Sequence, residues 1–237
     1  MNVIKEQVTA HLSTISPDVS LREPAAAMRI LAVSKTHPPS LIREAYQVGQ
    51  MDFGENYVQE AVAKIAELKD LPLCWHFIGH LQSNKARIVA ENFDWVQSVD
   101  SLKLARKLSS YSSPDKPLNI TVQINISNEE GKSGIAPDIA LDFCKELLPL
   151  PNIKLRGLMA IPEATDDPVQ QKEYFRAMRQ LFQSIYAFLN ASPDTSIHSK
   201  DWDTLSMGMS QDMLAALDEG SNMLRIGTAI FGKRLAV

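Results

Sequence analysis

The side chains with most chemical reach in this 237-residue sequence are polar groups that close apolar runs. Lys35 ends the run RILAVSK (29–35). Partial burial of a lysine disfavours the ammonium, lowers its pKa and frees a nucleophilic amine, the condition for Schiff-base formation with a carbonyl. A lysine at a strand end is also read as an exposed residue with a solvated head, so Lys35 alone leaves both readings open. The second feature is RIGTAIFG (225–232). Arg225 precedes Gly227, which lets backbone N–H groups approach an anion, and Thr228 adds a hydroxyl donor. Ser210 closes the run TLSMGMS and opens SQDMLAAL, where unpaired helix N–H groups favour an anion. Ser210, Gly227 and Thr228 can therefore form a phosphate cup, or equally an N-cap and a tight turn. Neither a P-loop, a GxGxxG fingerprint nor a GxSxG elbow occurs. His76 and His80 share a strand face about 13 Å apart, too far to share one ion, and no metal site is expected.

The elements that must position these groups repeat one theme: an apolar or β-branched run, a polar turn, a helical stretch. The runs are 29–35, 51–56, 75–80, 94–100, 118–127, 155–161, 204–210 and 223–232. Helical patterns lie between them at 39–49, 57–68, 83–91, 102–110, 137–148, 168–189 and 211–219. Residues 57–68 carry Val58, Ala61, Val62, Ile65 and Leu68 along one face. Strict alternation predicts a parallel sheet covered by helices, and eight units in this length predict a closed (β/α)8 TIM barrel. An open doubly wound sheet is the alternative. A short helix over residues 1–15, with Val3, Ile4, Val8 and Leu12 on one side, precedes the barrel. The longest helix-free stretch is 190–203, and one domain over 1–237 is expected. In such a barrel the functional face is the strand C-termini. The groups to inspect are then Ser34, Lys35, His37, Glu55, Asn56, His76, His80, Asp100, Asn125, Ser127, Ile161, Met207, Ser210, Arg225, Gly227 and Thr228.

Bulk properties narrow the function classes. Hydrophobic residues make up 45%, enough for a sizeable core, and the net charge of −4 comes without a basic run. Nucleic acid and anionic membrane surfaces are thus not expected partners. Cys74 and Cys144 stand far apart in apolar contexts and read as reduced core thiols. No apolar run reaches the length of a membrane span, and the opening MNVIKEQVTAHL does not read as a signal peptide. A cytoplasmic protein is expected.

Taken together, AVSKTHP (32–38), FGENYVQE (53–60), HFIGHLQSNK (76–85), GKSGI (131–135), RGLMAIP (156–162), SMGMSQDMLAALDEG (206–220) and RIGTAIFG resemble the pyridoxal phosphate homeostasis family, also described as alanine-racemase N-terminal-domain-like. The resemblance runs from about residue 29 to 234. It implies a fold-type-III barrel that binds pyridoxal 5'-phosphate as an internal aldimine. Lys35 matches the family's Schiff-base lysine. Ser210, Gly227 and Thr228 fall on its phosphate-binding positions, and Arg225 on the residue facing the pyridine nitrogen. Asn56 and His80 match positions lining the cofactor mouth. His37 departs from the pattern, in which a lysine is expected, and leaves Lys35 the only lysine of that motif.

An arginine only donates hydrogen bonds. Opposite the pyridine nitrogen it would keep that nitrogen unprotonated and weaken the ring as an electron sink. Racemases that resemble this barrel use a second base, a tyrosine from an added C-terminal β domain of a partner subunit. This sequence ends five residues after Gly232, so that domain is not expected, and a monomer is. Of the tyrosines, only Tyr57 lies beside a strand end. The reading therefore favours a protein that binds, releases or transfers the cofactor to apo-enzymes, with no catalytic residue assigned. Lys132 in NEEGKSG is a candidate for transient aldehyde contact, or simply a solvated loop lysine. An amino-acid racemase is the alternative. A phosphosugar enzyme using the same cup, with Lys35 forming a sugar imine, is a third class.

Overall fold

A computed structural model describes residues 2–14, 27–129, 131–191 and 193–232. Eight strands alternate with helices in the expected order. They are β1 (Arg29–Val33), β2 (Asp52–Glu55), β3 (Cys74–Phe77), β4 (Trp95–Val99), β5 (Leu118–Ile124), β6 (Ile153–Ala160), β7 (Thr204–Ser206) and β8 (Met223–Ile226). The helices are α1 (Asn2–Thr14), α2 (Pro39–Gln47), α3 (Val58–Glu67), α4 (Ala86–Asn92), α5 (Leu102–Tyr111), α6 (Ala140–Leu147), α7 (Pro168–Asn190), α8 (Pro193–Ser199), α9 (Met213–Asp218) and α10 (Thr228–Phe231). All neighbouring strands are parallel and the sheet closes in sequence order, a (β/α)8 barrel. Closure is made by β8 against β1, in register from Arg29 opposite Met223 to Ala32 opposite Ile226.

Local chemistry sets several helix ends. Pro39 starts α2, where its missing N–H would have had no partner. Gly49, at φ 85°, turns the chain after it. The Ser101 hydroxyl accepts from Leu104 N–H at the start of α5, and Asp167 does the same for Val169 at α7. The helices lay their apolar faces on the outside of the sheet, where Phe53, Phe77, Val96, Ile120, Leu158, Leu205 and Leu224 join one large cluster with helical residues such as Ile42, Ala61, Leu104 and Phe182. Among the described residues a small apolar group, Leu31, Ile78 and Met223 with Val33, stands apart from it.

The strands are shorter than the apolar runs. β7 stops at Ser206 and α9 begins only at Met213, so Ser210 lies in the turn between them and neither ends a strand nor opens a helix. β8 stops at Ile226, and residues 228–231 form a helical turn instead of extending it. The stretch 190–203 is not helix-free, since it holds α8. In the N-terminal helix Ile4 and Val8 are buried but Val3 is exposed, while the side chain of Leu12 and residues 1 and 15 lie outside the described residues. His11 Nε2 lies 2.8 Å from Asp218 Oδ1, tying α1 to the end of α9. Among the described residues, no helix is long and apolar enough to cross a membrane.

At Gly157 the β6 backbone adopts φ 147°, and a Cβ there would overlap the carbonyl oxygen of Thr204 on β7. The Gly157→Ala protein should lose at least about 2 kcal/mol of stability, read as a lower urea midpoint with an unchanged slope.

Candidate cofactor site

The expected residues gather at one end of the barrel. Lys35 follows β1, Asn56 follows β2, His80 lies past β3, Ser210 lies past β7, and Gly227 and Thr228 follow β8. Because β8 and β1 are paired, the two most informative motifs sit side by side. Gly227 neighbours Val33: a Cβ there would stand in ordinary contact, 3.4 Å from the Val33 carbonyl oxygen. The His37 ring packs on Phe231 at 5.1 Å, joining the loop after β1 to α10. The N–H groups of Thr228 and Ala229, in the first turn of α10, have no partner within the helix.

Burial sorts the groups. Lys35 is half-buried, whereas Ser210, Thr228 and His80 are exposed. Asn56 is half-buried, and its Oδ1 is buried with no hydrogen-bond partner. A Cβ at Gly79 would overlap the Asn56 backbone, so that glycine allows the ends of β2 and β3 to meet. Arg225 is 3% exposed, and burial lowers its guanidinium to about 10, still protonated at neutral pH. It donates from Nη1 to Ser206 O at 2.7 Å and Ser206 Oγ at 2.8 Å, and from Nη2 to Ala160 O at 2.7 Å. His80 Nδ1 lies 3.2 Å from Ser133 Oγ, which brings the loop carrying Lys132 against the mouth. Lys132 itself is exposed and pairs with Glu129.

Some expected groups fall elsewhere. His76 lies within β3, is fully buried, and connects through Asp52 to the opposite end of the barrel. There Asp52 Oδ, Cys74 Sγ and a His76 ring nitrogen come within 4.8 Å of one another. This grouping was not expected from the spacing of the histidines. Its cation is supplied by the chain: Arg29 Nη2 pairs with Asp52 and lies 3.4 Å from His76 Nε2 and 4.0 Å from Cys74 Sγ. Burial pushes the Cys74 thiol up to about 12, and Asp52 and Asp94 add to it. Burial alone would raise the Asp52 carboxyl, but donation from His76 and the Arg29 charge outweigh it and hold the group at about 2. Both cysteines are free thiols, Cys144 buried and Cys74 only half-buried.

Beside Lys35, two side chains not singled out in the sequence, Lys64 and Glu60, join the expected Ser34 and Glu55. Lys64, on α3, is 5% exposed and donates to Ser34 O at 2.7 Å, Glu55 Oε1 at 2.8 Å and Glu60 Oε1 at 2.6 Å. The Ser34 hydroxyl donates to Glu55 Oε1 at 2.7 Å, and Thr36 N–H donates to Glu60 Oε1 at 2.6 Å. The backbone on both sides of Lys35 is thus tied to α3, with Thr36 held at φ 65°. The signal was present: Lys64 falls on the apolar stripe of its helix, three residues after Ala61 and four before Leu68.

Fold and site together define a (β/α)8-barrel protein whose candidate ligand groups crowd the β8–β1–β2 side of the strand C-termini. The chain belongs to the alanine racemase N-terminal domain family, whose model matches residues 19–234. A pyridoxal phosphate homeostasis protein of Pasteurella multocida is 52% identical over 216 residues, covering 90% of this chain and 89% of that protein. The protein of the same name from Escherichia coli K12 is 47% identical over 209 residues, covering 86% and 85%. Among solved structures, PipY of Synechococcus elongatus PCC7942 with pyridoxal phosphate bound is 35% identical, covers 96% of this chain and 99% of its own, and has a TM-score of 0.73. An alanine racemase of Clostridium difficile shares the fold at a TM-score of 0.65 and 18% identity, with this chain matching 58% of it.

Lys64→Met removes the buried partner of Glu55, whose carboxyl is already raised by burial. An uncompensated buried carboxylate costs about 3 kcal/mol. With its folded-state pKa raised, Glu55 favours the native state when protonated, and that contribution is lost as pH rises through the folded value. The stability deficit of Lys64→Met against wild type should therefore be smallest near about pH 4 and grow toward neutrality in urea titrations.

Proposed function

We propose that this chain binds pyridoxal 5'-phosphate at the barrel mouth through Lys35 and serves intracellular homeostasis of that cofactor, holding it and giving it up to apo-enzymes. The observation that carries the reading is the pairing of β8 with β1, which sets Lys35 beside Gly227 and Thr228 with the buried Arg225 behind them. The names of its relatives, and the cofactor in PipY, support it. The residues fit the group. Lys35 supplies a primary amine at a half-buried position, and its flanks are held by Ser34 and Thr36. Ser210, Gly227 and Thr228 offer hydroxyl and backbone donors to a phosphate. Arg225 would face the pyridine nitrogen with a charge that burial does not remove. Asn56 and His80 line the mouth, and the unpaired Asn56 Oδ1 awaits a donor.

Bound there, the cofactor supplies an aldehyde carbon for reversible attachment. Lys35 would hold that group through its primary amine, an attachment that loses one water on forming and takes one up on release. Arg225 can donate to the pyridine nitrogen but never accept from it, so that nitrogen stays unprotonated. Carbanion chemistry is thereby disfavoured and simple retention is not. In this reading the chain is one domain, acts in the cytoplasm as a monomer, and Lys132, brought near His80 by Ser133, is the contact through which the aldehyde passes outward. The racemase reading requires Tyr57 as a second acid-base group. Tyr57 is 56% exposed at the start of α3.

Purified protein mixed with the cofactor should show a visible absorbance that is absent in Lys35→Ala, and borohydride should fix the added mass on the peptide containing Lys35. A colourless wild type would overturn the proposal, and turnover of an amino acid lost in Tyr57→Phe would favour the racemase. Ser210→Ala and Thr228→Ala should each weaken cofactor binding by about 1–3 kcal/mol in equilibrium titrations.

A further inference from the structure

The barrel interior carries a row of polar side chains where branched apolar residues would ordinarily fill the layers. Arg225, Ser206, Gln97 and His76 are all exposed by 3% or less. The chemistry of these groups dictates where each proton lies. A guanidinium donates only, so Ser206 Oγ accepts from Arg225 Nη1 at 2.8 Å. The single proton of that hydroxyl then goes to Gln97 Oε1, 2.7 Å away. The Gln97 amide nitrogen consequently points to His76 Nδ1 at 2.9 Å and to the Met223 thioether at 3.1 Å. The reverse amide orientation would set Gln97 Oε1 against the Met223 sulfur and take the acceptor away from Ser206. His76 Nδ1 must therefore accept, and the ring proton sits on Nε2, 3.0 Å from Asp52 Oδ1. Asp52 also accepts from Arg29. His76 is locked in place by the parallel face of Trp95, 5.1 Å away at 12°.

We infer that Ser206, Gln97 and His76 are positioning residues that hold the Arg225 guanidinium and link it to Asp52 and Arg29 at the far end of the barrel. The row crosses the interior from β8 through β7, β4 and β3 to β2, with each donor aimed the same way. No member can reverse alone. A proton on His76 Nδ1 would require Gln97 to turn over, and Ser206 would then lose its acceptor while still receiving from Arg225. A change at Asp52 is thus transmitted to the group that faces the cofactor. The effect on the cofactor rests on the reading above that Arg225 faces its ring; the His76 tautomer does not.

Nitrogen NMR on histidine-labelled apo-protein tests the proton order directly, with His76→Gln identifying the signal. Wild type should show His76 with Nδ1 bare and Nε2 protonated. In Gln97→Glu, isosteric and able only to accept when ionised, the proton should appear on Nδ1. A wild-type proton on Nδ1, or an unchanged tautomer in Gln97→Glu, would overturn the row. In the cofactor-loaded protein, Gln97→Leu should displace the Lys35-dependent absorbance maximum and release the cofactor about tenfold faster. Asp52→Asn, remote from the mouth, should move both quantities in the same direction by less. Unaltered spectra and release rates in both variants would overturn the positioning role. Absence of any Lys35-dependent absorbance in wild type would overturn the cofactor reading and the positioning role with it, while the tautomer would still be readable.

Discussion

The pairing of β8 with β1 is the interaction on which everything else depends. Four registered residue pairs join the last strand to the first. Without that seam the sheet would have two open edges, and the motif at Lys35 would lie as far as possible from the motif at Gly227. With it, residues nearly two hundred positions apart in sequence become neighbours through a carbonyl of β1 and a glycine after β8. The small side of Gly227 and the stacking of His37 on Phe231 are local consequences of the same seam. Joining chain segments this far apart in sequence costs loop-closure entropy, and the apolar jacket between sheet and helices offsets it.

The two sides of the sheet solve different problems. Outside, Phe53, Val96, Ile120 and Leu224 bury apolar area against helices and supply most of the driving force for folding. Inside, the barrel gives up much of that gain for directed hydrogen bonds. Buried polar groups are tolerable when they are hydrogen-bonded, and each member of the row from Arg225 to Asp52 is bonded to the next. The Ser34–Glu55–Lys64–Glu60 group does so nearly, with Glu55 Oε2 left unpaired. Around Lys35 the same currency of buried hydrogen bonds maintains a left-handed Thr36 that a relaxed loop would avoid.

Much of this was legible in the sequence because it is written in local periods. Alternating runs and helical stripes reveal eight strand–helix units, and the glycine-punctuated motifs mark the turns that face a ligand. Strand ends were less legible. The run through Ser210 stays apolar beyond Ser206, but Gly208, at φ 94°, leaves the ladder before the composition changes. The run after Arg225 curls into α10 because Gly227 takes a conformation off the strand path. Non-local polar partners were not legible at all. Gln97 and Ser206 stand 109 residues apart, and nothing in either neighbourhood signals the other. His76 read as a mouth residue because its run is apolar on both sides, whereas the register of β3 buries it midway along the barrel.

The base of the barrel has a further meaning. Trp95 is 3% exposed, and the guanidinium groups of Arg29 and Arg156 both lie over its ring, at 4.9 and 4.8 Å from the centroid. Arg156 is clasped in turn by Asp203 and Asn119, and Arg29 by Asp52. This slab of stacked cations and indole makes the barrel a cup with a floor, not a tube. A molecule seated among the loops must leave through the doorway by which it came, so water, incoming ligand and any receiving partner compete for a single threshold. Residence time then becomes a property of the rim.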